Sequence, residues 1–63
     1  MPFVNVKMLR GRSKEQKQRL AKAITDALAD ICEVKPAGTM VVIDEVDLEN
    51  WAVGGVLISD RPG

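Results

Sequence analysis

Apolar and polar side chains alternate along the first segment of the chain. The apolar residues Val4, Val6 and Met8 fall on one face of an extended backbone. Polar Asn5 lies on the other face, and the segment is rich in the β-branched residues that strands favour. The pattern predicts a β-strand over residues 3–9 with one face turned toward a core.

A helical period follows a short turn. Ser13 with Gln16 three residues later has the spacing of a capping box, which predicts a helix that begins there. Apolar residues then recur at helical spacing and form one stripe, consisting of Leu20, Ile24, Ala27, Leu28 and Ile31. Pro36 and Gly38 disfavour continuation, so we predict that the helix ends at about Cys32.

The remaining apolar segments predict strands. Residues 39–46 are nearly continuously apolar, which is typical of a strand buried on both faces through its middle. Strand, helix and strand together predict a parallel, right-handed βαβ unit. The Gly54-Gly55 pair predicts a tight turn between two short extended pieces, and so a hairpin near the C-terminus.

Chain length makes association with other copies the expected way to complete the fold. A chain of 63 residues forms at most one domain, here residues 1–63, and removes only about 60% of its unfolded surface from water. One cysteine and no histidine exclude an internal disulfide and the usual zinc ligands. We predict an α/β (α+β) subunit whose bare sheet face packs against other copies, first in dimers with a four-stranded sheet.

The net charge of the chain bears on which partners it can bind. Nine basic and nine acidic residues cancel, which disfavours binding to nucleic acid or to an anionic membrane. No membrane span or signal peptide is evident, so the cytoplasm is the expected location. Residues 1–25 nevertheless carry seven basic side chains against one acidic one. Most of these charges are expected to be solvated; the alternative is that Arg10 and Arg12, which lie outside the helix, face an anionic ligand.

The inventory of proton-transferring groups is short. Without histidine or tyrosine, the candidates are carboxylates, lysines, the cysteine and the terminal amine. Cys32 falls at the C-terminal end of the helix, where the dipole disfavours a thiolate, so we predict no catalytic role for it. Asp44 and Glu45 end the second strand and are more often solvated than pocket-lining. Trp51 either fills an inter-subunit core or forms a pocket wall.

Pro2 is a candidate base of a different kind. It is small enough to permit the removal of Met1, which would leave a secondary amine at the start of a strand. Apolar surroundings and nearby guanidinium groups would lower its pKa from the range of an ordinary α-amino group, ~7.7–8.0, so that the amine is neutral near pH 7. On residue type alone, a proline at this position more often has no function.

Three motifs carry a resemblance to a known family. Met1-Pro2-Phe3, the segment over residues 9–17 with its Gly-Arg-Ser-x-Glu-Gln-Lys motif, and Trp-Ala-Val-Gly-Gly over residues 51–55 resemble the 4-oxalocrotonate tautomerase family of the tautomerase superfamily. The resemblance covers nearly the whole chain. It implies βαβ subunits that begin at the proline and assemble as hexamers, occasionally from two related chains.

The resemblance also implies roles for individual residues. Pro2 would be the general base that moves a proton between carbons of an enol or dienol acid. Arg12 matches an arginine that binds the substrate's distal carboxylate through two oxygens. Leu9 matches a residue that lines the pocket, and Trp51 stands where the family has an aromatic residue, usually phenylalanine, that keeps the surroundings of the proline apolar.

One departure leaves three hypotheses. The family's second arginine, which polarises the substrate's 2-oxo group from a neighbouring subunit, aligns with Met40. Methionine can neither bind a carboxylate nor stabilise an enolate, and Arg10 is the candidate substitute. The chain is then a cofactor-independent isomerase in a homo-oligomer, of the kind used in aromatic catabolism. Alternatively, it is one subunit of a heterohexamer whose related partner subunit supplies the arginine, or it is a non-catalytic oligomer. Met40 favours the last two hypotheses, while Pro2, Arg12 and Trp51 favour chemistry on a small anionic enol or oxo acid.

Overall fold

The computed structural model describes residues 1–62 and contains one strand–helix–strand unit followed by a hairpin. The elements are β1 (Phe3–Leu9), α1 (Lys14–Cys32), β2 (Met40–Val46), β3 (Ala52–Val53) and β4 (Val56–Leu57). Short 3-10 turns occupy Pro36–Gly38, Leu48–Asn50 and Ile58–Asp60. The predicted elements and their order are confirmed, and no helix within residues 1–62 has the length and apolar character needed to cross a membrane.

The two long strands pair as predicted. β1 and β2 are parallel, and Phe3 stands opposite Met40 at one end while Leu9 stands opposite Val46 at the other. β3 and β4 are antiparallel, and both glycines between them have positive φ, 61° for Gly54 and 84° for Gly55. A tight turn with two positive φ angles matches the twist of a hairpin, which explains the glycine pair.

The helix begins as its sequence indicates. The backbone N–H of Gln16 donates to Ser13 Oγ at 3.1 Å, and the N–H of Ser13 donates to Gln16 Oε1 at 2.9 Å. The apolar stripe of the helix is only partly covered, because Ala27 is exposed and Ile31 is 76% exposed. A helix of 19 residues is about 28 Å long and the seven-residue strands are about 23 Å, so its last turn extends beyond the sheet.

One face of the sheet is uncovered. Phe3, Met40 and Val42 are 60%, 47% and 41% exposed, although all three are apolar. The prediction that β2 is buried on both faces is therefore wrong for the single subunit. Its cause is simple: α1 covers one side, and within residues 1–62 no element packs on the other.

The subunit has more surface than a folded monomer of its mass. A 6.9 kDa monomer is expected to expose about 4,000 Å², whereas this chain exposes 4947 Å². Its radius of gyration is 14.9 Å, against about 10.6 Å for a chain of this length. No side chain in the described part of the chain is fully buried. The single chain is therefore more extended and less buried than a compact monomer of its length.

Candidate active site

The predicted site residues lie at opposite ends of the strand pair. Pro2 immediately precedes β1, whereas Leu9 ends it and Arg12 follows in the next turn. Seven residue steps at about 3.3 Å separate Pro2 from Leu9 by about 23 Å. One subunit therefore does not bring the predicted base and the predicted carboxylate-binding residue together.

The first end contains Pro2 and Met40. Pro2 is half-buried, and its carbonyl accepts a hydrogen bond from the N–H of Met40 at 3.0 Å. A cavity of about 290 Å³ opens beside Pro2 and is lined by Met1, Pro2, Val34, Lys35 and Gly38. Its size is close to the lower limit for small-molecule sites, about 300 Å³.

Lys35 is a cation at this end that was not among the site residues predicted from the sequence. It lines the same cavity as Pro2, and within residues 1–62 its ammonium has no carboxylate at ion-pair distance. The predicted parallel pairing of the two strands already indicates its position, because residues that precede β2, such as Lys35, must lie near the start of β1. An ammonium here favours the neutral form of a nearby amine and attracts an anionic ligand.

At the second end, the two arginines of the turn differ in their contacts. Arg10 Nε lies 2.7 Å from Asp47 Oδ1, so its charge is compensated within the subunit. Arg12 Nη1 donates to the Leu9 carbonyl at 3.0 Å, and in the described residues the guanidinium meets no carboxylate. A guanidinium has five N–H donors, so most of those of Arg12 remain available for an anion.

Glu45 organises the turn between β1 and α1. Its Oε2 accepts from the backbone N–H of Gly11 at 3.1 Å and of Arg12 at 3.4 Å, while its Oε1 pairs with Lys17 Nζ. The Lys17 hydrogen bond, above all, holds the pKa of the Glu45 carboxyl below its ordinary value; partial burial acts against it, and the two backbone N–H groups assist. The interpretation of Glu45 as a solvated strand end is therefore wrong, whereas Asp44 pairs with Lys7 at 2.5 Å.

Trp51 and Cys32 complete the set of candidates. Trp51 lies four residues beyond Asp47, is half-buried, and accepts the N–H of Ile58 at 2.8 Å through its carbonyl. It thus belongs to the C-terminal unit that follows the Arg12 end of β2. Cys32 is an exposed free thiol in the last residue of α1.

The predicted site residues thus divide between the two ends of the strand pair. One end has Leu9, Arg10 and Arg12, and Pro2 lies at the other.

Comparison with known proteins assigns the class. The family model described as tautomerase enzyme matches residues 2–61. A probable tautomerase of Dickeya dadantii is 42% identical over 62 residues, 97% of this chain and 92% of that protein. The 2-hydroxymuconate tautomerase of Comamonas testosteroni is 41% identical over 56 residues, 89% of each chain.

A solved structure agrees with these matches. A heterohexamer 4-oxalocrotonate tautomerase of Chloroflexus aurantiacus is 37% identical to this chain, with a TM-score of 0.90 over 98% of this chain and 100% of that one. The class is thus the small βαβ subunits of the tautomerase superfamily. The chain belongs to the tautomerase family, as the N-terminal proline and the motif around Arg12 predict.

Proposed function

We propose that the chain is a tautomerase that moves a proton between carbons of a small enol or dienol carboxylic acid. The general base is the amine of Pro2, which is freed when Met1 is removed. Membership of the tautomerase family supports the reaction class, and the names of relatives such as the 2-hydroxymuconate tautomerase support the substrate class. The position of Pro2 on a cavity that Lys35 also lines supports the choice of base.

The complete site is shared between subunits of an oligomer. The observation that carries this proposal is the separation of Pro2 from Arg12 by a whole strand, because a small acid cannot span about 23 Å. The excess surface and the exposed sheet face supply the area for association. The heterohexamer relative assembles from subunits of the same fold, which supports six copies here.

In such a site each end contributes one part of the reaction. The neutral Pro2 amine takes a proton from the substrate, and the resulting prolinium returns it to another carbon, so the base is regenerated. Arg12 of a second subunit binds the distal carboxylate with N–H groups that its own subunit leaves available. Trp51, which lies beyond the Arg12 end of β2, serves from a second subunit as an apolar wall that favours the uncharged amine.

Substrate binding by Arg12 is tested with two substrates. Arg12→Ala is expected to raise KM for a dicarboxylate such as 2-hydroxymuconate by about 10- to 100-fold, the worth of a charged hydrogen-bonded pair. KM for the monocarboxylate phenylenolpyruvate should change little, because it has no distal carboxylate. Arg10→Ala is the matched comparison and should have the smaller effect, since Arg10 is paired with Asp47. Equal changes for both substrates would contradict this role for Arg12.

Met40 is tested by adding the donor that the position lacks. Met40 donates its backbone N–H to the Pro2 carbonyl, so a guanidinium at that position lies at the Pro2 end of the strand pair, on the sheet face left uncovered in one subunit. Met40→Arg is expected to raise kcat for the oxo-dicarboxylate by as much as about 100-fold, the effect of one donor aimed at a developing enolate. Met40→Gln, neutral and of similar length, should not. An unchanged or lower kcat in Met40→Arg would show that Met40 does not face the substrate.

A hetero-oligomer is the second candidate function. The observation that favours it is the apolar Met40 beside the proposed base, together with a heterohexamer among the similar structures. In that case a related partner chain supplies the missing donor. Purified chain alone would then turn over the dicarboxylate slowly, and co-expression with a related chain encoded beside it would restore turnover without any substitution.

A further inference from the structure

We propose that Glu45 is a positioning residue that fixes the turn over residues 10–12 and thereby aims the Arg12 guanidinium at the substrate's carboxylate. The inference rests on the proposed function, in which Arg12 binds that carboxylate. It goes further in naming the group that gives Arg12 its orientation.

The turn has few hydrogen bonds of its own. The last bond that continues the β1–β2 ladder is from the N–H of Arg10 to the carbonyl of Val46, at 3.1 Å. The helix cap starts at Ser13. The two N–H groups between these points belong to Gly11 and Arg12, and both donate to Glu45 Oε2. A single carboxylate oxygen therefore bridges the interval between strand and helix.

The second oxygen of Glu45 ties the turn to the helix. Oε1 pairs with Lys17 in the first turns of α1, and the two side chains are 22% and 34% exposed. The other ion pairs of the described residues involve side chains that are 41–76% exposed. A pair shielded in this way is screened less by solvent and holds its geometry better than the exposed pairs do.

Glu45 thereby fixes the backbone from which the Arg12 side chain extends, and the Leu9 carbonyl fixes one end of its guanidinium. The backbone N–H of Arg12 is held by Glu45, and its Nη1 is held by the Leu9 carbonyl at 3.0 Å. Gly11 adopts φ 128°, a conformation that side chains disfavour and that brings its N–H to the carboxylate. Lys17 compensates the charge of Glu45, so the carboxylate does not have to draw in the guanidinium of Arg12.

Glu45→Gln is the test, because it keeps the size and removes one acceptor. The amide has one oxygen, which cannot serve both Lys17 and the two backbone N–H groups, so one anchor is lost. We expect KM for 2-hydroxymuconate to rise by at least about tenfold, as for a displaced substrate-positioning group, with KM for phenylenolpyruvate nearly unchanged. Lys17→Met, which removes only the helix anchor, should act in the same direction with a smaller effect.

Two controls separate positioning from general damage. Asp26→Asn removes the exposed Lys22 pair on α1 and should change neither KM. In the double variant Arg12→Ala with Glu45→Gln, the second change should add nothing for 2-hydroxymuconate, because the side chain that it positions is absent. The amides of Gly11 and Arg12 should exchange hydrogen faster in Glu45→Gln than in the native chain.

The outcomes are distinct. An equal loss with both substrates, or additive effects in the double variant, would assign Glu45 a merely structural role and overturn the inference. So would unchanged kinetics in Glu45→Gln. Those results leave the proposed function standing, since the native chain still turns over both substrates. A native, trimmed chain that turns over neither substrate would overturn the proposed function itself.

Discussion

Protein that keeps Met1 is expected to show no turnover of an enol acid, and removal of Met1 should restore it. With Met1 in place, the nitrogen of Pro2 is an amide and has no basic lone pair. The same preparation can be assayed before and after treatment with a methionine aminopeptidase, with intact mass reporting the fraction trimmed. Activity should rise in proportion to that fraction. Turnover by fully untrimmed chains would exclude Pro2 as the base.

The pH dependence of the trimmed chain follows from the same chemistry. The active form of the base is the neutral amine, so the rate should rise with pH through the pKa of Pro2. That pKa should lie below the ~7.7–8.0 of an ordinary α-amino group, because apolar surroundings and nearby cations both disfavour the prolinium form. Pro2→Ala, with Met1 also removed, leaves a primary amine of similar reach and should lower the rate without abolishing it. An unchanged rate would remove Pro2 from the mechanism, whereas no turnover by the native trimmed chain would favour a non-catalytic oligomer.

Local signals in the sequence were sufficient for the elements of this fold. The Ser13–Gln16 capping box and the Gly54-Gly55 turn depend on residues within four positions of each other, and both occur as predicted. The predictions that proved wrong concern the burial of apolar side chains. Ile31 and Val42 are apolar at positions predicted to be covered, yet both are exposed in the single subunit. Periodicity indicates which face is apolar, but it does not show whether an element of the same chain covers that face, and within residues 1–62 none does.

For the candidate site too, some features could be predicted from the sequence and others could not. The separation of Pro2 from Arg12 follows from the predicted strand between them, so the sequence alone supports the proposal of a site shared between subunits. The role of Glu45 was not, because its contact with Gly11 joins residues 34 positions apart and depends on the register of β1 against β2. The pairing of Arg10 with Asp47 likewise depends on where the two strands end. These contacts explain the difference between the two arginines: Arg10 is paired with a carboxylate, whereas Arg12 keeps N–H donors available for an anion.

A mixture of two defective variants provides the most direct test of the shared site. Pro2→Ala oligomers lack the native base, and Arg12→Ala oligomers lack the carboxylate-binding residue. If each site takes Pro2 from one subunit and Arg12 from another, reassembly of equal amounts leaves about one quarter of the sites with both native residues. Activity toward 2-hydroxymuconate, measured below KM, should therefore recover to about one quarter of the native value, above either variant alone.

Controls identify the source of the recovery. Pro2→Ala mixed with a Pro2→Ala, Arg12→Ala double variant has no native base in any site and should recover nothing. Native mass spectrometry should show both chains within one oligomer, and sedimentation equilibrium at micromolar concentration should show an assembly rather than a monomer. No recovery in oligomers that demonstrably contain both chains would mean that Pro2 and Arg12 do not serve the same site. A stable folded monomer would contradict the shared site more directly, because within one subunit a strand of seven residues holds the two apart.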